Sequence, residues 1–594
     1  MIFSNISWRS SSSNISDGLP TVEQINEWSR DRVKEFLLER GAKLDLEEND
    51  VNIIHAQRVT GKAFLRLSEE QLTRETGPFR LPYGPASAIA ELVQQIKGGK
   101  RTSFFSLPTP MIPNTYIILC FSFLLLEKLV TGRTRTLSPS LYNENNETLK
   151  RKKRMKEYHD TVTTGLKANN PLVGANPKNF FRNQQTNPIL NGRPLANTGP
   201  PITLYNDAFS LFLNNFNDEN LIIPPDFLKW ADKLILEATN NYNNEEEWNE
   251  KMREILSERL GAIFEIGTGK NDPTIQVALY YRDYWSQNNV KTIRNCCCAP
   301  SFIITLAGPW FCILGGVFLN RAVVEPLTDL IPLTINLRAF DKKKRIARLF
   351  YSLYQALRHL DNFYHNLDLG KPMEHRFFPY VRQFQFDGNN NISFTYVCEL
   401  SDDPTRTIWK GTLENGRSIV IKYTSKYCAA AHKICATAGF APELLYCSDN
   451  AETKRLGGFR LIIIEYIDGT TLNQRFIERD TRDVSYGLSI YRDVKCAIDE
   501  LHVKNYVFAD LRTPNILVFE IDEEPHTNII DFDWSGRHNV DSYPSSMNED
   551  IDWPPGAEPC ALLNKEHDRY WLNELREFLN LSKEEVTDKA LSQF

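Results

Sequence analysis

The sequence has eleven cysteines but no Cys-x-x-Cys pair, which excludes the ligand spacing of a zinc finger or a thioredoxin-like redox site. Its one cysteine cluster is the unspaced run Cys296, Cys297, Cys298. It has no basic excess either. The 69 Lys and Arg stand against 75 Asp and Glu, a formal charge of −6, so no global positive field draws it to nucleic acid or membrane and any such partner must use a local patch. The opening residues, MIFSNISWRSSSSNISDG, lack a basic segment followed by an apolar stretch of signal-peptide length. The expectation is an intracellular protein, cytoplasmic or nuclear, with reduced thiols and with sequons such as Asn5-Ile6-Ser7 unglycosylated.

Long apolar runs are scarce. Residues 302–319, FIITLAGPWFCILGGVFL, only just reach the length that can span a bilayer, and Pro309, Gly315 and Gly316 interrupt them. They read as a buried strand pair, or a strand and helix, and no membrane span is expected. A second run, Thr115 to Leu126, is too short to span and stands isolated among loop-like residues.

A chain of 594 residues is too long for one core and suggests about three to five domains. Residues 19–98 carry short amphipathic patterns: Trp28, Val33, Phe36 and Leu37; Val51, Ile53 and Ile54; Phe64, Leu65 and Leu67; then Ala88, Ile89, Leu92, Val93 and Ile96. They predict a bundle of about five helices with turns at Gly61, Gly77 and Gly84. The segment resembles a SAM domain over its whole length, which implies self-association or association with protein partners.

Residues 99–195 are rich in proline, serine and asparagine and read as a largely disordered linker. Within it KRKKR, Lys150 to Arg154, is either a nuclear-import or nucleic-acid patch or a solvated face. Residues 196–370 regain globular composition. A turn at Gly267-Thr268-Gly269 and Asp272-Pro273 precede a helix with Gln276, Tyr280, Tyr281 and Tyr284, and an amphipathic helix follows from about Lys342 to Leu367. This stretch, with CCCAPSFIITLAGPWFCILGGVF, resembles the module beside kinase domains in some fungal Crinkler-type proteins, related to PD-(D/E)xK nucleases. Such nucleases need Glu-x-Lys beside a further acid to hold Mg²⁺, and here Glu265 is followed by Ile266 and Gly267. A structural or binding role is the expectation.

The remaining residues, 371–594, hold the chemistry. TIWKGTLENGRSIVIKY reads as two strands joined by Asn415-Gly416, with Ser418, Val420 and Lys422 on one face. An apolar strand, Leu461 to Ile464, runs into Glu465, Tyr466 and Ile467. A helix from about Ser485 to Lys504 leads to YVFADLRTPNILVF, and then to NIIDFDWSG. Apolar runs wall a loop that carries Asp510, Arg512 and Asn515. A strand lysine, an apolar strand with an elbow, Asp-x-x-x-x-Asn and Asp-Phe-Asp, in that order, resemble a protein-kinase-like fold.

That resemblance implies ATP and Mg²⁺. It makes Lys422 the nucleotide-phosphate lysine, with adenine against Val420, Ile464, Glu465 and Ile467. Asp510 becomes the catalytic-loop aspartate, Arg512 a contact to the transferring phosphate, and Asn515 and Asp531 the metal ligands. Departures from the pattern are plain. CELSDDPTRTIWKG replaces a glycine-rich loop, SKYCAAAHKICATAG offers no acid to pair with Lys422, and Asp-Phe-Asp replaces Asp-Phe-Gly. Only 58 residues follow Gly536, too few for a full large lobe. The expected fold class is multidomain: an all-α SAM-like bundle, an α/β middle module, and an α+β bilobal kinase-like domain with a shortened large lobe. A phosphotransferase and a non-catalytic pseudokinase scaffold are both consistent with these residues.

Overall fold

The computed structural model describes residues 20, 22–44, 46–73, 78–96, 117–121, 144–168, 170–260, 272–307, 309–334, 339–386, 390–478, 484–522 and 524–587. The chain forms two compact units, Met1–Met111 and Ile112–Phe594.

Among the described residues six helices build the first unit: α1 (Val22–Asn26), α2 (Arg30–Leu44), α3 (Glu48–Ala56), α4 (Gly61–Phe64), α5 (Glu69–Thr73) and α6 (Tyr83–Ile96). The apolar positions read from the sequence are its core, with Phe36, Leu37, Ile54, Phe64, Ile89 and Leu92 all buried. Two of the expected turn glycines lie inside helices instead. Gly61 opens α4, where a Cβ would strike the Ile25 carbonyl, and Gly84 lies within α6. Gly77 lies outside the described residues.

In the second unit the apolar run forms the antiparallel hairpin β2 (Ser301–Ala307) and β3 (Trp310–Phe318). β4 (Ala322–Pro326) and β5 (Ile331–Pro332) also pair with β3. No helix among the described residues is long and apolar enough to cross a membrane. Strand β1 (Ile117–Phe121) pairs in parallel with β2, so the described part of the run read as isolated belongs to this sheet. Gly315 and Gly316 fit a strand because aromatic rings lie on the backbone at both. A Cβ on Gly316 would sit 2.9 Å from the Tyr281 ring, and one on Gly315 2.8 Å from the Phe209 ring. Tyr281 lies on α8 (Pro273–Ser286), started by Asp272, whose carboxylate accepts from the Thr274 N–H at 2.9 Å. Glu265 and the turn 267–269 lie outside the described residues.

Part of the expected linker is folded. Helix α7 (Glu144–Leu166) carries the basic block, and Tyr158, Phe180, Ile189 and Leu190 enter the main core. Charge hid this helix from the apolar pattern, because Arg154 is buried by stacking on Phe378 (4.8 Å) and pairing with Glu399 (2.7 Å). Lys150 donates to the Glu399 carbonyl at 3.0 Å and Lys153 lies 3.8 Å from Asp402. Much of the block is thus spent on intrachain partners.

A six-stranded antiparallel sheet follows, in the order β10-β11-β9-β8-β7-β6. Its strands are β6 (Gln383–Phe386), β7 (Asn390–Glu399), β8 (Ile408–Leu413), β9 (Ser418–Thr424), β10 (Leu444–Cys447) and β11 (Arg460–Glu465). One face, with Trp409, Ile419, Ile421, Tyr423, Leu461 and Ile463, is buried in the same core as the β2–β3 hairpin. Residue 370 therefore marks no boundary between cores. The amphipathic helix α9 (Phe340–His365) packs into that core through Leu349, Phe350 and Leu353. A second core gathers α10 (Ala429–Thr437), α11 (Val484–Val503) and the hairpin formed by Ile516–Ile521 and Glu524–Ile529.

Gly316→Ala is expected to lower unfolding stability by about 1–3 kcal/mol through overpacking against Tyr281, read as a lower melting temperature of the full chain. A melting curve superimposable on wild type would contradict the close packing described.

Candidate functional site

Alternation along β9 puts Val420 and Lys422 on the face opposite the buried Ile419 and Ile421. Their cross-strand partners on β11 are Ile464 and Ile462. The Lys422 side chain is 13% exposed, and its ammonium donates to Asp531 Oδ1 and Asp533 Oδ1, both at 2.7 Å. Asp533 Oδ2 also accepts from the Thr424 hydroxyl at 3.0 Å. The helix after β9 offers Lys422 no acidic partner. The partner is the third residue of Asp-Phe-Asp.

Helix α10 engages the same segment without a charge. His432 stacks on Phe532, centroids 4.5 Å apart and planes within 8°. Its ring nitrogens bond the Tyr427 hydroxyl (2.6 Å) and the Pro442 carbonyl (2.8 Å). Burial lowers the His432 pKa to about 4, so the ring is neutral and packs as an aromatic.

The loop 508–515 is held from two sides. Asp510 is 7% exposed, and the Arg512 guanidinium forks onto its carboxylate, with Nη2 to Oδ2 at 2.8 Å. Arg512 also lies over the Trp553 ring at 5.2 Å. Asn515 Nδ2 donates to the Asp510 carbonyl and carboxylate, each at 2.9 Å. The Ile530 N–H bonds the Asn515 carbonyl at 2.9 Å, tying this loop to the residue before Asp531. Ala509 and Asp531 both have φ of +74°, a conformation that non-glycine residues keep only where surrounding contacts impose it.

One fixing group escaped the sequence reading. Asp568, fully buried on α12 (Lys565–Phe578), accepts the Phe508 and Ala509 N–H groups and pairs with His502 Nε2, each at 2.9 Å. Nothing local signals this role, since an aspartate in a charged first helical turn reads as a dipole partner.

The charges are coupled. Burial pushes the Asp533 pKa up to about 7, helped by the neighbouring Asp531 charge. Burial is the largest influence on Asp531 as well, but the Lys422 charge, the hydrogen bonds from Lys422 and Asp533 and the Arg406 charge together outweigh it and hold Asp531 below the usual carboxylate range. Burial raises Asp510 against the pull of Arg512, with a smaller contribution from the Asp531 charge. Lys422, Asp510, Arg512, Asn515, Asp531 and Asp533 therefore make one electrostatic neighbourhood. Val420 and Ile464 share the Lys422 face. Glu465 does not, because it pairs with the core-facing Ile419, and its carboxylate lies 3.1 Å from Arg417. Glu465 and Ile467 border a separate cavity of about 470 Å³ with Ala441, Leu444 and Asn528, apart from Lys422.

No cluster of three or more His, Cys, Asp or Glu with metal-holding geometry occurs among the described residues. The site nevertheless offers hard oxygen donors. With its NH₂ committed to Asp510, Asn515 retains its amide oxygen, which accepts no hydrogen bond among the described residues. Together with Asp531 it fits Mg²⁺ better than a softer metal, given further oxygen ligands from a phosphate.

The comparisons with known proteins bear on the first unit. A family model described as a SAM-like domain matches residues 1–95, so the chain carries an amino-terminal SAM-like domain. No curated protein matches the chain.

Two outcomes follow. Asp533, raised in the folded state, contributes stability that is full below its ordinary value of 3.8 and lost as pH rises through about 7. Asp531 is lowered and does not titrate in that window. The melting temperature is therefore expected to carry a decrease between about pH 4 and about pH 7 that Asp533→Asn removes; an identical pH profile in the variant would contradict the shift. Asp568→Ala is expected to cost about 2–4 kcal/mol by orphaning two buried N–H groups, measured by denaturant unfolding.

Proposed function

We propose that the carboxyl-terminal part of the chain is an ATP- and Mg²⁺-dependent phosphotransferase of the atypical protein-kinase-like type, joined to a SAM-like domain that mediates self-association or binding of protein partners. The observation that carries this reading is the meeting of Lys422, Asp510, Asn515 and Asp531, drawn from three separate segments. The strand order supports it. A lysine on the central β9 lies beside the apolar β11, and beneath it come a loop with Asp-x-x-x-x-Asn and the Asp-Phe-Asp turn.

Phosphoryl transfer asks a protein to position groups and balance charge more than to form covalent bonds. Asp531 and the amide oxygen of Asn515 would hold Mg²⁺, which when bound neutralises charge on phosphate oxygens. Lys422 would turn toward nucleotide phosphates. Asp533 would then hold the lysine in place of the missing helix acid. Asp510, its carboxylate set by Arg512 and Asn515, would orient the acceptor hydroxyl and take its proton. Adenine would lie against Val420 and Ile464. The middle module, which shares its core with the six-stranded sheet, would serve as a structural support rather than a Crinkler-type nuclease. An intracellular setting accords with the ten described cysteines, all of them free thiols.

Two observations favour a second reading, a pseudokinase scaffold. Arg512 is closed on Asp510, and the segment 400–407 supplies aspartates where amides would cradle phosphates. The test is nucleotide-dependent phosphorylation by the purified full chain. Asp510→Asn is expected to reduce it by at least about a hundredfold while leaving Mg-ATP stabilisation in thermal melts intact. Activity unchanged in that variant would refute the catalytic reading, and stabilisation without any transfer would favour the scaffold.

A further inference from the structure

On the reverse of the β7–β11 sheet, away from Lys422, lies a cavity of about 260 Å³. Its walls are the basic block of α7, the segment 399–406 and the turn between β3 and β4. Lys422 pairs with Ile408, and the next residue, Trp409, points to the opposite face and into this wall, while Arg406, on the loop between β7 and β8, lines the cavity and its charge also reaches Asp531.

One buried donor there has no partner, and a tyrosine hydroxyl stands in the same wall. The Trp409 side chain is part of a residue only 3% exposed, and its indole N–H makes no hydrogen bond. Tyr205 is 5% exposed, and its hydroxyl makes none among the described residues. Burial raises the Tyr205 pKa well above its ordinary value, which keeps it a neutral donor. Buried polar groups are nearly always paired, so the orphan Trp409 N–H, with the Tyr205 hydroxyl in the same wall, points to an acceptor that belongs there.

The charges around the cavity name the kind of acceptor. Five cationic side chains, Lys150, Lys153, Arg154, Arg321 and Arg406, face four carboxylates. All four carboxylates are already engaged: Glu157 with Arg321 (3.1 Å) and Asn320 (2.7 Å), Glu399 with Arg154 (2.7 Å), Asp402 with Lys153 (3.8 Å), and Asp403 with the Thr405 N–H (2.9 Å) and hydroxyl (2.7 Å). Arg406 has no side-chain hydrogen bond or ion pair among the described residues. The surplus is one positive charge and a set of N–H and O–H donors, the complement of an oxyanion.

We propose that this cavity binds a phosphate group, either as free phosphate or as part of a nucleotide, through Arg406, Tyr205 and Trp409. Such a ligand would bridge α7 to the segment 399–406 that lies between the cavity and the Lys422 site.

The probe is inorganic phosphate, titrated into the full chain at constant ionic strength with chloride as control and followed by melting temperature and calorimetry. Phosphate is expected to stabilise saturably, and Tyr205→Phe and Arg406→Gln are each expected to weaken its apparent affinity at least about tenfold. Arg406 lies on an exposed loop, so that variant reports even if Tyr205→Phe disturbs the fold. A phosphate response no greater than that of chloride, or titrations unchanged in the variants, would overturn the proposal. An ATP arm without Mg²⁺ separates the sources. Stabilisation lost in Tyr205→Phe and kept in Asp531→Asn assigns the phosphate to a nucleotide. ATP stabilisation kept in Tyr205→Phe, with the inorganic phosphate response lost there, assigns it to free phosphate.

Discussion

An ammonium shared by two carboxylates organises the carboxyl-terminal site. Lys422 is scarcely exposed, and a buried charge is tolerable only when its partners are close and well aimed. Asp531 and Asp533 meet that need from a single turn, and the alternation Asp-Phe-Asp lets both reach up while Phe532 points down into the second core. The same turn is thereby pinned at three places: by the lysine above, by His432 stacked on Phe532, and by Ile530 bonded to Asn515 below. Remove the lysine, and two acids remain crowded together with one cation fewer.

Around this arrangement the fold is more continuous than a string of domains. The six-stranded sheet buries one face against the middle module and keeps the other for Lys422, Val420 and Ile464. A sheet so backed is stiff, and stiffness on one face is what fixes side chains on the other. Helix α7 adds a second restraint, since its basic residues grip Glu399 and Asp402 at either end of the turn out of β7. The lower loop has its own anchor in Asp568, which takes two consecutive backbone N–H groups and leaves Asp510 little freedom.

Much of this was legible in the sequence wherever period and turn chemistry speak locally. The strand pair around Asn415-Gly416, the buried hairpin at 302–319 and the core of the SAM-like bundle follow from alternation, apolar length and helical spacing. The residues of the site were legible as types in an order. What stayed hidden depends on contacts across long separations. A partner for Lys422 was sought on the next helix and lies 111 residues away at Asp533. Helix α7 looked like linker because it buries an arginine and a tyrosine more than a row of leucines. Residue 370 looked like a boundary because composition cannot reveal that two sheets share one core. Glu465 looked like a neighbour of Lys422, and one step of strand parity turns it to the opposite face.

The most direct measurement is calorimetric titration of the full chain with ATP, with and without Mg²⁺, in wild type and in Lys422→Met. If the three segments form one nucleotide site, wild type binds one ATP per chain in a Mg²⁺-dependent manner and the lysine variant binds it at least about tenfold more weakly. Binding indifferent both to Mg²⁺ and to Lys422, or no binding at all, would contradict the account.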